Sequence, residues 1–425
     1  MPRGARRRRE RREDRGRPGP EDGHDVGGRS TRVTTQATQD VQSVEAQHVL
    51  QIYKRANVVF ERGEGVRLID SNGRSYLDFI SGVGVVALGH GHARLAAAIA
   101  DQAKTLIHTS NLFYHPLQAE LSAKLATLTG LDRAFFCNSG TEAVEACLKF
   151  SRRFWKGSRT KYVAFSHSFH GRTMGSLSVT WDDHYRAPFA PLIPNVVFVD
   201  ANDPAALSAA VDETTAAVIV EPIQGEGGVR PISLAMAQAI STACAGTGAL
   251  LIADEIQSGC GRTGTFTYSE QLGLKPDLMS LGKALGAGVP IGAAMFTDRV
   301  AAAAAPGDHG STYGGNLLAC RAALVFLDEL INGGVLANVK KVGAHFDARL
   351  AEFKARHPKV VALRGAGVMR GIDIGEDAGW VVPAALERGL LVNRTSTSVI
   401  RLLPPFVITE QHIDEAMGIL DEVVR

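Results

Sequence analysis

Three short stretches of the 425-residue chain carry residue types that could do chemistry together. The first is Asn138-Ser139-Gly140-Thr141-Glu142-Ala143-Val144-Glu145. Phe135 to Cys137 reads as a strand end, and Ser139-x-x-Glu142 is a capping box opening a helix with Val144, Cys147 and Leu148 on one face. Small, hydroxyl-bearing residues at a helix start expose backbone N–H groups at the positive end of the dipole, a ready phosphate site. Alone, the stretch is an ordinary helix cap. The second stretch is Leu250 to Ala253 running into Asp254-Glu255-Ile256-Gln257, which puts a carboxylate at a strand's carboxyl end. The third, Leu278 to Gly286, holds a single lysine, Lys283, among apolar and small residues. Desolvation there lowers an amine's pKa and makes it a nucleophile. An anion cradle, a carboxylate for a ring nitrogen and an amine for an imine are what a pyridoxal phosphate site requires.

Other motifs carry less. Gly259-Cys260-Gly261-Arg262-Thr263-Gly264 matches G-x-G-x-x-G, but a dinucleotide site wants it early, opening a helix, with an acid about 20 residues on. Here it comes late, and Thr265-Phe266-Thr267-Tyr268 after it reads as a strand. Gly282-Lys283 has Asp277 where a P-loop needs glycine. His90-Gly91-His92 and His167-x-x-His170 have no acidic or cysteine partner nearby in sequence, so they read as loop histidines and no metal site is expected.

The elements that must position these residues follow from apolar patterning. Leu95 to Leu106, Leu117 to Leu128 and Glu142 to Phe150 read as helices. Tyr162 to Phe165, Val196 to Val199, Ala216 to Val220 and Leu250 to Ala253 lack polar alternation and read as strands buried on both faces. That alternation indicates an α/β layer with a mostly parallel sheet, whose ligands sit at the strands' carboxyl ends. Arg67 to Asp70 and Ser75 to Asp78 flank Asn72-Gly73, a hairpin signal. A long helix is expected from Phe326 to Phe353, then short strands and a closing helix from Glu410.

Composition narrows the class. Apolar residues make up 45% and charged residues 21%, so a large core can form. No apolar run approaches the ~18 residues of a membrane span. Five widely spread cysteines without a C-x-x-C pair indicate free thiols in a reducing, cytoplasmic setting. The net charge of +2 hides nine arginines against three acids in residues 1–17. The basic character therefore belongs to a tail, and nothing directs the body at nucleic acid. That tail, residues 1–42, is expected to be disordered and carries no secretory signal.

Taken together, the motifs resemble the class III aminotransferases of the fold-type I pyridoxal phosphate enzymes, and among them the acetylornithine aminotransferases. The likeness runs from about Val44 to the C-terminus. It is carried by Ala87-Leu88-Gly89-His90-Gly91-His92, Asn138 to Ala143, Phe169-His170-Gly171-Arg172-Thr173, Glu221-Pro222-Ile223-Gln224-Gly225-Glu226-Gly227-Gly228, Asp254 to Gln257, Lys283, His309 to Asn316, and Val399 to Pro405. The family's proline is replaced by Ala93 after the histidine pair and by Leu317 after Asn316, neither of which touches the chemistry.

The resemblance implies a large cofactor-binding domain, 96–316, and a smaller α+β domain assembled from 43–95 and 317–425. It implies that Lys283 holds the cofactor and moves the substrate proton, with Asp254 on the ring nitrogen. Gln257 would bond the phenolic oxygen, and Phe169 and Ile256 would cover the two ring faces, with Glu255 in the same cofactor-binding group. Ser139, Gly140 and Thr141 would bind the phosphate, with Thr312 donated by the partner of a homodimer and Ser311 touching substrate from that loop. Arg172 would take a substrate carboxylate, and Arg401 the second carboxylate of 2-oxoglutarate, masked by Glu226 in the other half-reaction. The implied reaction moves the ω-amino group of N2-acetylornithine to 2-oxoglutarate, in arginine biosynthesis. Succinylornithine, ornithine, 4-aminobutyrate and a carrier-linked lysine remain sibling donors.

Overall fold

A computed structural model describes residues 35–424. Most of the basic tail therefore lies outside the described residues. Residues 35–42, expected as its disordered end, instead begin a helix, Thr35–His48. The sequence between Arg29 and Arg62 has no glycine or proline, and Thr35–His48 holds four glutamines and two alanines, so nothing breaks a helix there.

Seven strands form the central sheet, in the order Arg133–Cys137, Gly292–Phe296, Leu278–Leu281, Leu250–Asp254, Thr215–Val220, Lys161–Phe165, Val196–Val199. Gly292–Phe296 runs antiparallel to both neighbours, and every other pairing between adjacent strands is parallel. All six residues of Thr215–Val220 and all five of Leu250–Asp254 are buried, as the unbroken apolar runs require of strands covered on both faces. This is the fold-type I arrangement, a large sheet flanked by helices.

Two four-stranded sheets lie outside it. Phe60–Glu64, Arg67–Asp70 and Ser75–Asp78 form an antiparallel meander, closed by Leu390–Leu391 running parallel to Ser75–Asp78. Both chain ends thus build one sheet. The expected hairpin is present, with Gly73 at φ +81° in its turn. Ala362–Ala366, Met369–Asp373, Val399–Leu402 and Asn393–Thr395 form the other sheet, antiparallel throughout.

The expected helix Phe326 to Phe353 is two helices, Leu317–Ile331 and Val335–Arg356. Asn332-Gly333-Gly334 breaks the apolar periodicity, with Gly334 at φ +82°, where glycine alone bears no penalty. No strand forms over Thr265 to Tyr268. Phe266 is buried in a turn-rich segment between Gly264 at φ +95° and the short helix Tyr268–Gln271. Among the described residues no single helix is long and apolar enough to cross a membrane, and all five cysteines are buried free thiols.

Candidate active site

The loops after Cys137, Phe165, Val220, Asp254 and Leu281 all open at the same edge of the sheet, where an α/β fold places its ligand. They enclose a cavity of about 270 Å³ lined by Gly140, Thr141, Phe169, His170, Gly171, Arg172, Glu221, Asp254, Ile256, Gln257 and Lys283. A larger cavity of about 410 Å³, at Gln238, Lys275 and Arg299, assembles no comparable set of groups, so chemistry and not size singles out the site.

At one end of the cavity, helix Gly140–Phe154 begins. The Ser139 hydroxyl accepts from Glu142 N at 3.4 Å, and the Glu142 carboxylate accepts from Asn138 N at 2.6 Å. The first-turn N–H groups of Gly140 and Thr141 stay outside the helix's own ladder. Small residues are needed here. A Cβ on Gly140 would lie 2.7 Å from Ile256, and one on Gly282 would lie 3.3 Å from the Gly140 Cα. The Lys283 loop therefore packs directly on the cradle. The Thr141 hydroxyl lies 2.6 Å from Ser176 Oγ and 2.9 Å from Thr173 Oγ1, which ties the cradle to the segment bearing Arg172.

Gly171 adopts φ +137°, and a Cβ there would sit 2.2 Å from Thr141 Oγ1 and 2.5 Å from Ser176 Oγ. A Gly171→Ala protein is accordingly expected to lose about 2 kcal/mol of stability and at least about tenfold in pyridoxal phosphate affinity. Thermal melting and a titration of the apoprotein with cofactor check both.

Asp254 stands at the centre. Ser280 Oγ donates to its Oδ1 at 3.0 Å and Ile256 N donates at 3.2 Å. His170 Nδ1 lies 2.7 Å from Oδ2 and donates to it, because a carboxylate only accepts. His170 is buried and its Nε2 has no partner among the described residues. Glu221 is also buried, accepting from Phe169 N at 2.7 Å and Gly225 N at 3.0 Å. Burial pushes its pKa up to about 7, with the Asp254 charge adding to the rise and His170 opposing it. Neither His170 nor Glu221 stood out in the sequence as a site residue. The signal for His170 is an aspartate 84 positions away.

Lys283 opens a short 3-10 turn at φ +44°, a left-handed conformation unusual for a side chain with a Cβ. Burial lowers its pKa; the Glu226 charge opposes that fall and the Arg401 charge adds to it. Arg401 is fully buried, with Nη1 donating to Glu226 Oε1 at 2.5 Å and to Gln257 Oε1 at 3.1 Å. Burial tends to raise the pKa of Glu226, but the Arg401 charge and hydrogen bond carry it below the ordinary carboxylate range. Arg172, at the cavity's exposed side, has its guanidinium carbon 3.6 Å from the Tyr185 ring centroid and 5.5 Å from that of Phe169. No carboxylate pairs with it among the described residues.

Eight residues singled out in the sequence therefore line one cavity: Gly140, Thr141, Phe169, Arg172, Asp254, Ile256, Gln257 and Lys283. Ser139 caps the cradle, and Glu226 and Arg401 join through Gln257. Three stand apart. Glu255 turns away, its carboxylate accepting from Ser258 Oγ at 2.6 Å and Ser269 N at 2.6 Å. Successive residues leaving a strand point oppositely, so Asp254 and Glu255 cannot share a cavity. Ser311 accepts from Asn138 Nδ2 at 3.3 Å and Gly314 N at 3.0 Å, and Thr312 is exposed; neither lines the cavity of its own chain.

The cavity fits pyridoxal phosphate: glycines keep a cradle open at a helix start, and a buried carboxylate and a lysine amine line the same space. Residues 51–424 match the family Aminotransferase class-III. The acetylornithine aminotransferase of Archaeoglobus fulgidus is 47% identical, over 88% of this chain and 98% of that one. The crystal structure of the acetylornithine aminotransferase from Elizabethkingia anophelis superposes with TM-score 0.82 at 33% identity, covering 91% of this chain and 98% of that one. An ornithine aminotransferase from Toxoplasma gondii, described with partial occupancy of PLP at its active site, gives 0.86 at 33% identity over 91% and 94%.

Proposed function

Because this chain belongs to the class III aminotransferases, we propose that it moves the ω-amino group of N2-acetylornithine to 2-oxoglutarate, giving N-acetylglutamate semialdehyde and glutamate. In the cell the step would belong to arginine biosynthesis in the cytoplasm. The observation that carries this reading is a cationic pair of unequal character beside one lysine. Arg172 is exposed with no carboxylate partner among the described residues, whereas Arg401 is buried behind Glu226. A donor with one carboxylate needs only Arg172. The dicarboxylic acceptor needs both, and it displaces Glu226 from Arg401 to obtain the second.

Bound pyridoxal phosphate supplies an electrophilic carbonyl and a ring that takes up the electron pair left when a proton leaves the amine-bearing carbon. The Gly140 and Thr141 backbone, capped through Ser139, would hold its phosphate. Asp254, fixed by His170 and Ser280, would hold the ring nitrogen, and Gln257 the phenolic oxygen. Phe169 and Ile256 would bracket the ring. Lys283 Nζ would anchor the carbonyl carbon and then take the proton from the donor's δ-carbon, a task its burial-lowered pKa favours.

The assembly we propose is a homodimer in which the partner's copy of the Ser311-Thr312 loop completes each site. Its support is an exposed apolar run next to that loop. Leu112 is 85% exposed and Phe113 67%, and Tyr114 and Tyr313 are exposed as well. Asn111 of the same run donates to Ser311 O at 3.2 Å and Gly314 O at 2.9 Å.

A donor panel tests the assignment. The specificity constant for acetylornithine is expected to exceed that for 4-aminobutyrate by at least about 100-fold, since the shorter amine forgoes a charged hydrogen-bonded contact worth ~3 kcal/mol. Equal rates on the two amines defeat the reading. An Arg172→Ala protein is expected to weaken both acetylornithine and 2-oxoglutarate by about 10- to 100-fold in kcat/KM.

A further inference from the structure

The Gly259 to Gly264 stretch is no nucleotide loop, yet it holds Arg262, which with Arg401 is the largest fully buried side chain among the described residues. Among the described residues no carboxylate pairs with this guanidinium. Its Nη1 donates to Pro404 O at 2.9 Å and Val368 O at 3.4 Å, and its Nη2 donates to Gly84 O at 3.2 Å. The cationic carbon lies 4.6 Å from the Phe406 ring centroid. Carbonyls from three separate parts of the chain thus take the place of water around a buried cation. Burial pulls its pKa down to about 9, and the neighbouring Arg401 charge acts in the same direction.

The two Nη1 acceptors are related by the sheet. Val368 immediately precedes strand Met369–Asp373, and Pro404 follows strand Val399–Leu402. Those strands pair antiparallel with Arg370 opposite Leu402 and Gly371 opposite Arg401, so Val368 O and Pro404 O stand at the same open end of one ladder. Arg262 closes that end with its side chain, and its own carbonyl accepts from Val368 N at 3.0 Å. The approach is tight: a Cβ on Gly367 would lie 2.4 Å from Arg262 O. Five residues earlier on the same loop, Gln257 accepts from Arg401 itself. One loop therefore grips the ladder twice, at its end and at the Arg401 guanidinium.

We infer that Arg262 is a positioning residue for Arg401, fixing the ladder against the loop so that the buried guanidinium meets the keto acid's second carboxylate in register. The inference rests on the assignment of Arg401 to that carboxylate. A shift of about 1 Å in a carboxylate clamp can cost about 100-fold, so a loosened ladder should read first as weaker dicarboxylate binding.

Arg262→Gln and Arg262→Lys proteins, each loaded with cofactor, test this beside wild type and Arg401→Gln. The measurements are KM and kcat for 2-oxoglutarate, the single-turnover rate with acetylornithine, and calorimetric titration with glutarate, a dicarboxylate that cannot react. Arg262→Gln is expected to raise the 2-oxoglutarate KM and the glutarate Kd by about 10- to 30-fold, while the acetylornithine rate and kcat stay within about threefold. Arg262→Lys, which keeps the charge but concentrates its donors on one nitrogen, should recover part of the binding. Equal losses in both half-reactions would mark a scaffold residue and overturn the inference, as would unchanged glutarate binding. If Arg262→Gln does not fold, Arg262→Lys decides, with the same split expected at about threefold and its absence overturning the claim. If Arg401→Gln leaves glutarate binding intact, the Arg401 assignment has failed and this inference falls with it; a defect in Arg401→Gln alone sinks only the role of Arg262.

Discussion

A Lys283→Ala protein is expected to lose transamination by at least about 10⁴-fold in kcat, because one amine serves as both covalent anchor and proton carrier. The geometry explains why no neighbour substitutes. Besides Lys283, the residues lining the cavity offer Arg172, whose guanidinium has donors and no acceptor, and His170, whose Nδ1 is committed to Asp254. The carboxylates Asp254 and Glu221 are hydrogen-bonded to surrounding groups. Steady-state rates with acetylornithine measure the loss. Borohydride reduction followed by peptide mass analysis gives an independent readout: cofactor mass should appear on the Lys283 peptide of the wild type and be absent from the variant. A variant that transaminates at the native rate would remove the proposed mechanism outright. The lowered Lys283 pKa gives the sign of the pH dependence: the free amine persists to lower pH than for an ordinary lysine, so activity should extend well below the usual lysine range.

How much of this was legible depended on sequence separation. The cradle was readable because a capping box, a small-residue turn and an amphipathic helix are all local, and Gly140–Phe154 begins where the signal lies. Asp254 and Lys283 were readable because each follows a buried apolar run, and the sheet brings those strand ends together. What decides the roles around them is non-local. The Asp254 partner His170 sits in a motif that looked like loop histidines, and burial of that ring comes only with the packed sheet. Glu226 and Arg401 lie 175 positions apart, and only family resemblance paired them before the fold did. Glu255 shows the opposite error. The resemblance placed it with the cofactor-binding group, but strand geometry turns neighbouring side chains to opposite sides, and its carboxylate went to Ser258 and Ser269. The break at Gly333-Gly334 was missed because the apolar period on either side is nearly continuous.

The second large effect is expected at the Arg401–Glu226 pair, and its two halves should act in opposite directions. Arg401→Gln removes the cation that the acceptor's second carboxylate would meet in a buried setting. The loss in kcat/KM for 2-oxoglutarate and glutamate is expected to be about 100-fold, or ~2.7 kcal/mol, with acetylornithine changed less than about tenfold. Removing Arg401 leaves the desolvation of Glu226 opposed only by the Lys283 charge and the Gln257 hydrogen bond, so that carboxyl's pKa should rise. The variant's acetylornithine rate should then titrate with Glu226 at higher pH than the wild type's does. Glu226→Gln does the reverse. With no carboxylate competing for Arg401, the acceptor binds a guanidinium already free, and the KM for 2-oxoglutarate should fall several-fold. The selectivity for acetylornithine over glutamate as donor should collapse with it, since the gate no longer discriminates against a second negative charge. Parallel kcat/KM measurements on both substrates separate the cases. Equal losses of acetylornithine and 2-oxoglutarate in Arg401→Gln would show that the pair braces the site as a whole and does not switch between two substrates.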